Sequence, residues 1–163
     1  MRRQAEIARS GHQPADLSDP LSALLAGAHL VASYWGHGDE PFVPPRPGWL
    51  LPVLLPDDDL DWAAYDGRMA PGRRGLPEPA GPRLGVDAIA SCDVVLVPAL
   101  LVDRHGWRLG KGGGSYDRAL VRATGLTVAL LHEGGLVDEL PHEEHDVPVR
   151  AACTPSGLVH LRA

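Results

Sequence analysis

Val94-Val-Leu-Val-Pro-Ala-Leu-Leu101 is an unbroken apolar run. A strand with one wetted face alternates apolar and polar side chains, so a run without alternation is buried on both faces, and such strands belong to parallel sheets covered by helices above and below. Short runs of strand type recur at residues 30–34, 49–54, 93–98, 126–131 and 147–153. Ser18 is placed to cap a helix through Leu25, with Pro20 tolerated in its first turn, and a further helix is expected over 116–123. The expected architecture is α/β: a three-layer, largely parallel Rossmann-like sheet flanked by helices, in a single domain of 163 residues. Ligands in such sheets lie beyond the carboxyl ends of the strands, which directs attention to the loop after 93–98.

Composition narrows the function classes. With 44% hydrophobic residues the chain has enough apolar surface for a core, and 15 cationic against 21 anionic side chains leave a net charge of −6. No overall basic field is available for nucleic acid or for an anionic membrane surface, so neither is expected as a partner and local basic clusters must do any anion binding. The apolar run 21–35 carries Ser22, His29 and Ser33 and is too short to span a bilayer, and no signal-peptide core follows Arg2 and Arg3. Cys92 and Cys153 are isolated, with no metal or disulfide spacing, which fits a reducing cytoplasm. Gly and Pro concentrate in 40–48 and 69–85 and mark those stretches as loops. A monomer or weak homodimer is expected.

The chemistry concentrates in Arg108-Leu-Gly-Lys-Gly-Gly-Gly-Ser-Tyr-Asp-Arg118. Gly110, Gly112, Gly113 and Gly114 let a polyanion approach main-chain amides, and the chain leaving them reads as a helix start. Arg108 and Lys111 offer charge-assisted bonds to phosphate, while Asp117 suits a magnesium ion better than a phosphate. The common nucleotide fingerprints do not fit: Lys111 is followed by Gly112 rather than Ser or Thr, and Ser115 stands where a dinucleotide loop needs its last glycine. His142-Glu-Glu-His-Asp146 lacks the His-Glu-x-x-His zinc spacing, and Asp57-Asp-Asp59 reads as a solvated acidic turn. Trp35 and Tyr34, near Glu40, are aromatics able to face a flat heterocycle whose ring N–H groups a carboxylate would accept.

Taken with Val97-Pro-Ala-Leu-Leu-Val-Asp-Arg-His-Gly106, the glycine loop resembles the signature of the 5-formyltetrahydrofolate cyclo-ligase family, the methenyltetrahydrofolate synthetases. Leu140-Pro-His-Glu-Glu-His-Asp-Val-Pro-Val-Arg-Ala-Ala-Cys-Thr154 is similar to the family's second motif, Gly75-Leu-Pro-Glu-Pro79 to an element between the two, and Ala32-Ser-Tyr-Trp-Gly-His-Gly-Asp-Glu40 to the strand and turn that carry a substrate-binding glutamate. The likeness runs over about residues 17–160, with the motifs in order. It implies that ATP phosphorylates the formyl oxygen of 5-formyltetrahydrofolate, that N10 closes onto the activated carbon, and that 5,10-methenyltetrahydrofolate, ADP and phosphate leave. It also implies roles, carried residue by residue. Arg108, Lys111 and Tyr116 are the catalytic candidates. Arg108, Leu109, Gly110, Lys111, Gly112, Gly113, Gly114, Ser115 and Tyr116 would hold ATP. Trp35, Glu40, Gly112 and Gly113 would meet the folate, and Asp117 and Asp146 would stand by Mg²⁺. Apart from the resemblance, His145 reads as orienting the Asp146 turn, with no proton transfer.

Three positions depart from the pattern. The family has a Lys- and Arg-rich N-terminal helix toward the nucleotide, whereas this chain opens Met-Arg-Arg-Gln-Ala-Glu-Ile-Ala-Arg-Ser and reads as beginning inside or after it, so that the domain 1–163 has that helix truncated. Glu40 is followed by Pro41, Phe42 and Val43 without the family's threonine, and Ser115 replaces the first of two tyrosines. The truncation leaves open a second class, a catalytically impaired folate- or nucleotide-binding protein acting as reservoir or regulator. A third, a sugar-phosphate or acyl-CoA handling protein of related architecture, leaves Glu40 and Asp146 unexplained.

Overall fold

A computed structural model of the chain describes residues 1–9 and 13–161, without the side chains of 6–9. The strands in chain order are β1 (Val31–Ala32), β2 (Leu50–Leu54), β3 (Leu60–Ala64), β4 (Met69–Pro71), β5 (Pro77–Pro79), β6 (Val94–Pro98), β7 (Leu101–Asp103), β8 (Arg108–Leu109), β9 (Leu126–Leu130), β10 (Leu136–Val137), β11 (Ala151–Thr154) and β12 (Gly157–His160). The α-helices are α1 (Arg2–Arg9), α2 (Ser18–Ala26) and α3 (Ser115–Leu120). One seven-stranded sheet runs β12-β11-β9-β6-β1-β2-β3. Its five inner strands are parallel, and β3 and β12 close the two edges antiparallel.

The apolar run of β6 divides between two cores, as a doubly covered strand must. Val94 and Leu96 pack on one face with Val128, Leu130, Ala151, Cys153 and with Leu21 and Leu25 of α2. Val95 and Val97 pack on the other with Ala129, Ala152, Trp62, Ile89 and with Ala119 and Leu120 of α3. Leu96 and Val97 are both fully buried, and burying a side chain of that size contributes about 1.5–3 kcal/mol. The layered α/β domain expected from the runs is the one observed.

Several local expectations need correction. Ser18 does not cap α2: the N-cap is Leu17, which makes no side-chain bond, and the carboxylate of Asp16 accepts the Ser18 N–H at 2.9 Å instead. The strand at 30–34 is only Val31–Ala32, because the chain beyond Ser33 leaves the sheet and Tyr34 donates its hydroxyl to the Pro41 carbonyl. At 147–153 the ladder starts at Ala151, since Pro148 has no N–H and the N–H of Val149 is donated to Gly106 O at 2.8 Å. The helix at 116–123 is Ser115–Leu120 followed by tight turns, with Arg122 N–H bonded to Ala119 O and Ala123 N–H to Leu120 O. Nor is the 57–59 turn merely solvated, because Asp58 pairs with Arg74 at 2.6 Å and Asp59 with Arg122.

Two small sheets stand beside the main one: the hairpin β4–β5, and β10-β7-β8, in which β7 is parallel to β10 and antiparallel to β8. The second of these delivers the glycine loop, which leaves β8 directly.

Candidate active site

A crevice of about 680 Å³ opens beyond the carboxyl ends of β2 and β6. Its walls are the glycine loop with the start of α3, the turn carrying Trp35 and Glu40, the hairpin β4–β5, and the segment 141–146. Every site residue named from the sequence lines it. That is where an open parallel sheet places its ligands.

Backbone geometry explains the glycines unequally. Gly112 (φ +108°) and Gly114 (φ +73°) hold left-handed conformations that other residues resist, the second where α3 begins. Gly113 has no such requirement: a Cβ there would meet only Ser115 Oγ, at 3.8 Å. Its missing side chain leaves open space above the loop rather than satisfying the fold. Gly113→Val is therefore expected to fold like the parent chain and to weaken ATP binding on the order of tenfold, about 1.4 kcal/mol. Calorimetric titration of ATP checks it, and equal affinity in the two proteins would make the loop a simple turn. Because α3 has six residues, the loop amides rather than a long helix dipole present the positive end to an anion.

Cations surround the loop. Lys111 is exposed at its tip. Arg2, from α1, donates Nε to Gly110 O at 2.7 Å and lies over Gly112. Arg108 is different, because its side chain is only 6% exposed. Its Nη1 donates to Pro98 O at 3.1 Å, its Nη2 lies 3.6 Å from Asp117 Oδ1, and its guanidinium sits 5.8 Å from the centre of the Tyr116 ring. The terminal fork expected to grip phosphate is already engaged, and the buried Nε has no partner. Burial holds its pKa below the ordinary guanidinium value, opposed in part by Asp117, Tyr116 and Asp146, and a guanidinium titrates so high that it stays a fixed positive charge.

Tyr116 places its hydroxyl out of solvent with no partner. Burial first, and the charge of Glu40 second, push its pKa well above the ordinary phenol value, so it remains an O–H donor. Glu40 closes its own turn by accepting the His37 N–H on Oε1 at 2.9 Å; Oε2 makes no hydrogen bond among the described residues. Trp35 is 39% exposed and tilted against Tyr65 at 6.2 Å between centroids. Tyr34 is 4% exposed and packs in the core, the ordinary place for such an aromatic, while still bordering the crevice.

Asp146 turns back on its own segment, accepting the Glu143 N–H at 2.8 Å, with His145 Nε2 3.5 Å from its other oxygen. His142 stacks flat on Trp107, 3.8 Å away and 6° from parallel. Among the described residues no group of three or more His, Cys, Asp or Glu side chains is arranged to hold a metal. A cation here would have Asp117 and Asp146 as its protein carboxylates and would complete its shell with phosphate oxygens and water, which is the habit of Mg²⁺.

The sequence reading missed Arg2 and the hairpin wall, where Met69, Leu76 and Glu78 face the crevice. Glu78 lies within the Gly75-Leu-Pro-Glu-Pro79 element that carried part of the resemblance, so a signal for it existed. For Arg2 the signal is the family's basic N-terminal helix, set aside because this opening reads as truncated; its partner lies 108 residues away.

A model of the 5-formyltetrahydrofolate cyclo-ligase family matches residues 48–155. A 5-formyltetrahydrofolate cyclo-ligase of Mycolicibacterium smegmatis is 38% identical over 174 residues, covering 96% of this chain and 89% of that protein. One from Escherichia coli is 41% identical over 136 residues, covering 79% and 70%. In fold the chain is similar to the 5,10-methenyltetrahydrofolate synthetase of Aquifex aeolicus, with a TM-score of 0.74 at 24% identity over 99% of this chain and 91% of that one.

Proposed function

Because this chain belongs to the 5-formyltetrahydrofolate cyclo-ligase family, we propose that its crevice aligns 5-formyltetrahydrofolate with ATP, folate on the Glu40 side and triphosphate on the glycine loop. The activity is the ATP-dependent conversion of 5-formyltetrahydrofolate to 5,10-methenyltetrahydrofolate, with release of ADP and phosphate. The observation that carries the arrangement is one crevice lined both by an open amide loop and by an acceptor carboxylate, with Tyr116 in its wall close enough to Glu40 to feel its charge.

Each residue then has a task. Glu40 accepts ring N–H groups of the pteridine and Trp35 offers it a flat apolar face. The loop amides from Gly110 to Gly114, with Lys111 and Arg2, hold the triphosphate. Tyr116 donates its hydroxyl proton in a hydrogen bond at the formyl group, and Arg108 supplies fixed positive charge beneath the loop where negative charge spreads in transfer. The formyl oxygen attacks the γ-phosphorus as ADP departs; N10 then attacks the formyl carbon and gives up its proton to solvent, and phosphate leaves with the oxygen. No nucleophilic side chain is required, so alignment and charge do the catalysis.

Asp117 and Asp146, both lining the crevice, are the carboxylates that would hold Mg²⁺, which when bound would neutralise triphosphate charge. Asp117→Asn retains the shape of the site and is expected to raise the magnesium concentration for half-maximal nucleotide binding on the order of tenfold. A folded variant with unchanged magnesium dependence removes Asp117 from that role. The reaction is tested by incubating the protein with 5-formyltetrahydrofolate, ATP and magnesium, following methenyl absorbance and ADP together. Equal amounts of the two products are expected, and ADP without the methenyl product would overturn the reading.

The setting we assign is the cytoplasm, as a monomer or weak homodimer. Cys92 and Cys153 are buried free thiols with pKa values pushed up to about 12 and about 11 by burial, which makes them unreactive. No described helix is long and apolar enough to cross a membrane.

A further inference from the structure

We infer that Asp103 is a positioning residue for this reaction, a buried carboxylate that locks the arch formed by residues 140–149 onto the turn leading into the glycine loop. The inference rests on the cyclo-ligase reading for its kinetic consequence and on geometry alone for the lock. Asp103 is fully buried, and its described hydrogen bonds all come from backbone amides. Oδ1 accepts the N–H groups of His105 at 2.9 Å and Trp107 at 3.0 Å, which shapes the turn 103–107. Oδ2 accepts the N–H of Leu140, 37 residues away, at 2.9 Å. One carboxylate thus serves two separate segments through its two oxygens.

The same turn holds the far end of the arch. Gly106 O accepts the Val149 N–H at 2.8 Å, and Trp107 stacks on His142 between the two anchors. An arch pinned at Leu140, His142 and Val149 to five consecutive residues moves with them as one body. Arg108 is the next residue after the turn, and Asp146 is carried by the arch, so the lock sets one side of the crevice relative to the other. Asn at 103 keeps the shape but has one carbonyl acceptor; its NH2 group then faces a backbone N–H. Either the turn or the arch loses its partner.

Two measurements test this. In the unmodified chain, native-state hydrogen exchange should show the amides of Leu140 and Val149 opening together with those of His105 and Trp107, as one slow unit. In Asp103→Asn, kcat should fall by about tenfold or more while KM for 5-formyltetrahydrofolate, whose pteridine contacts lie on the Glu40 wall, stays within about threefold. The magnesium requirement should rise, and Trp107 emission, isolated by difference against Trp107→Phe, should increase as His142 unstacks. Arch amides exchanging faster than turn amides would overturn the inference. So would a folded Asp103→Asn protein with parental kcat, or one whose loss of activity follows its unfolded fraction alone. If the variant does not fold, exchange in the unmodified chain decides by itself. Exchange and fluorescence need no turnover, so failure of the lock and failure of the cyclo-ligase reading are distinguishable.

Discussion

Gly106→Ala is expected to destabilise the fold by about 3 kcal/mol or more, the sum of left-handed backbone strain and overpacking. Gly106 has φ +92°, and a Cβ built on it would stand 2.1 Å from Val149 O, 3.2 Å from Val149 C and 3.3 Å from Pro148 Cβ. The obstacle is backbone, and it cannot swing aside cheaply because the Val149 N–H is bonded to Gly106 O. Gly67 separates the two contributions: it has the same φ, yet a Cβ there would meet nothing within 4 Å. Gly67→Ala should therefore show strain alone, about 1–2 kcal/mol. Urea unfolding of both variants checks the difference, and equal losses would mean that the close approach of turn and arch is not present in solution. A loss of this size is a large part of the 5–15 kcal/mol by which domains are ordinarily stable.

Glu40→Gln is expected to weaken 5-formyltetrahydrofolate binding on the order of tenfold to hundredfold, the value of a lost charge-assisted bond of about 1.5–3 kcal/mol. The turn itself should survive, because the Gln carbonyl can still accept the His37 N–H that Glu40 accepts on Oε1. What changes is the other end of the carboxylate, where an NH2 group would now face ring N–H donors. ATP, which the proposed arrangement puts on the glycine loop, should bind nearly as before. Separate titrations of the two ligands into both proteins give the answer. Unchanged folate affinity would reduce Glu40 to a turn residue before Pro41 and deprive the folate side of its main acceptor.

The contrast between Arg108 and Arg2 shows what a sequence conveys about a site and what it omits. Arg108 was conspicuous because it stands two residues from the first loop glycine, and its expected task was an open grip on phosphate. Folding instead closes Pro98 and Asp117 around its fork and makes it a buried charge. Arg2 stands in an N-terminal stretch that reads as the truncated remnant of the family's basic helix, yet it reaches the loop. Tyr34 and Trp35 are adjacent in sequence, and only the departure of the chain from the sheet buries the first and leaves the second 39% exposed at the crevice.

By itself the sequence determined the parallel sheet, because apolar runs such as Val94 to Val97 can be satisfied only where both faces are covered, a property of consecutive residues. It made the glycine loop the candidate anion site for the same local reason, since freedom at φ and absence of Cβ belong to each residue alone. The edge strand β3, the hairpin wall and the lock of Asp103 on Leu140 were decided by tertiary structure. Their partners lie far along the chain, and a hydrogen bond between distant residues has no local signature until packing brings its donor and acceptor together.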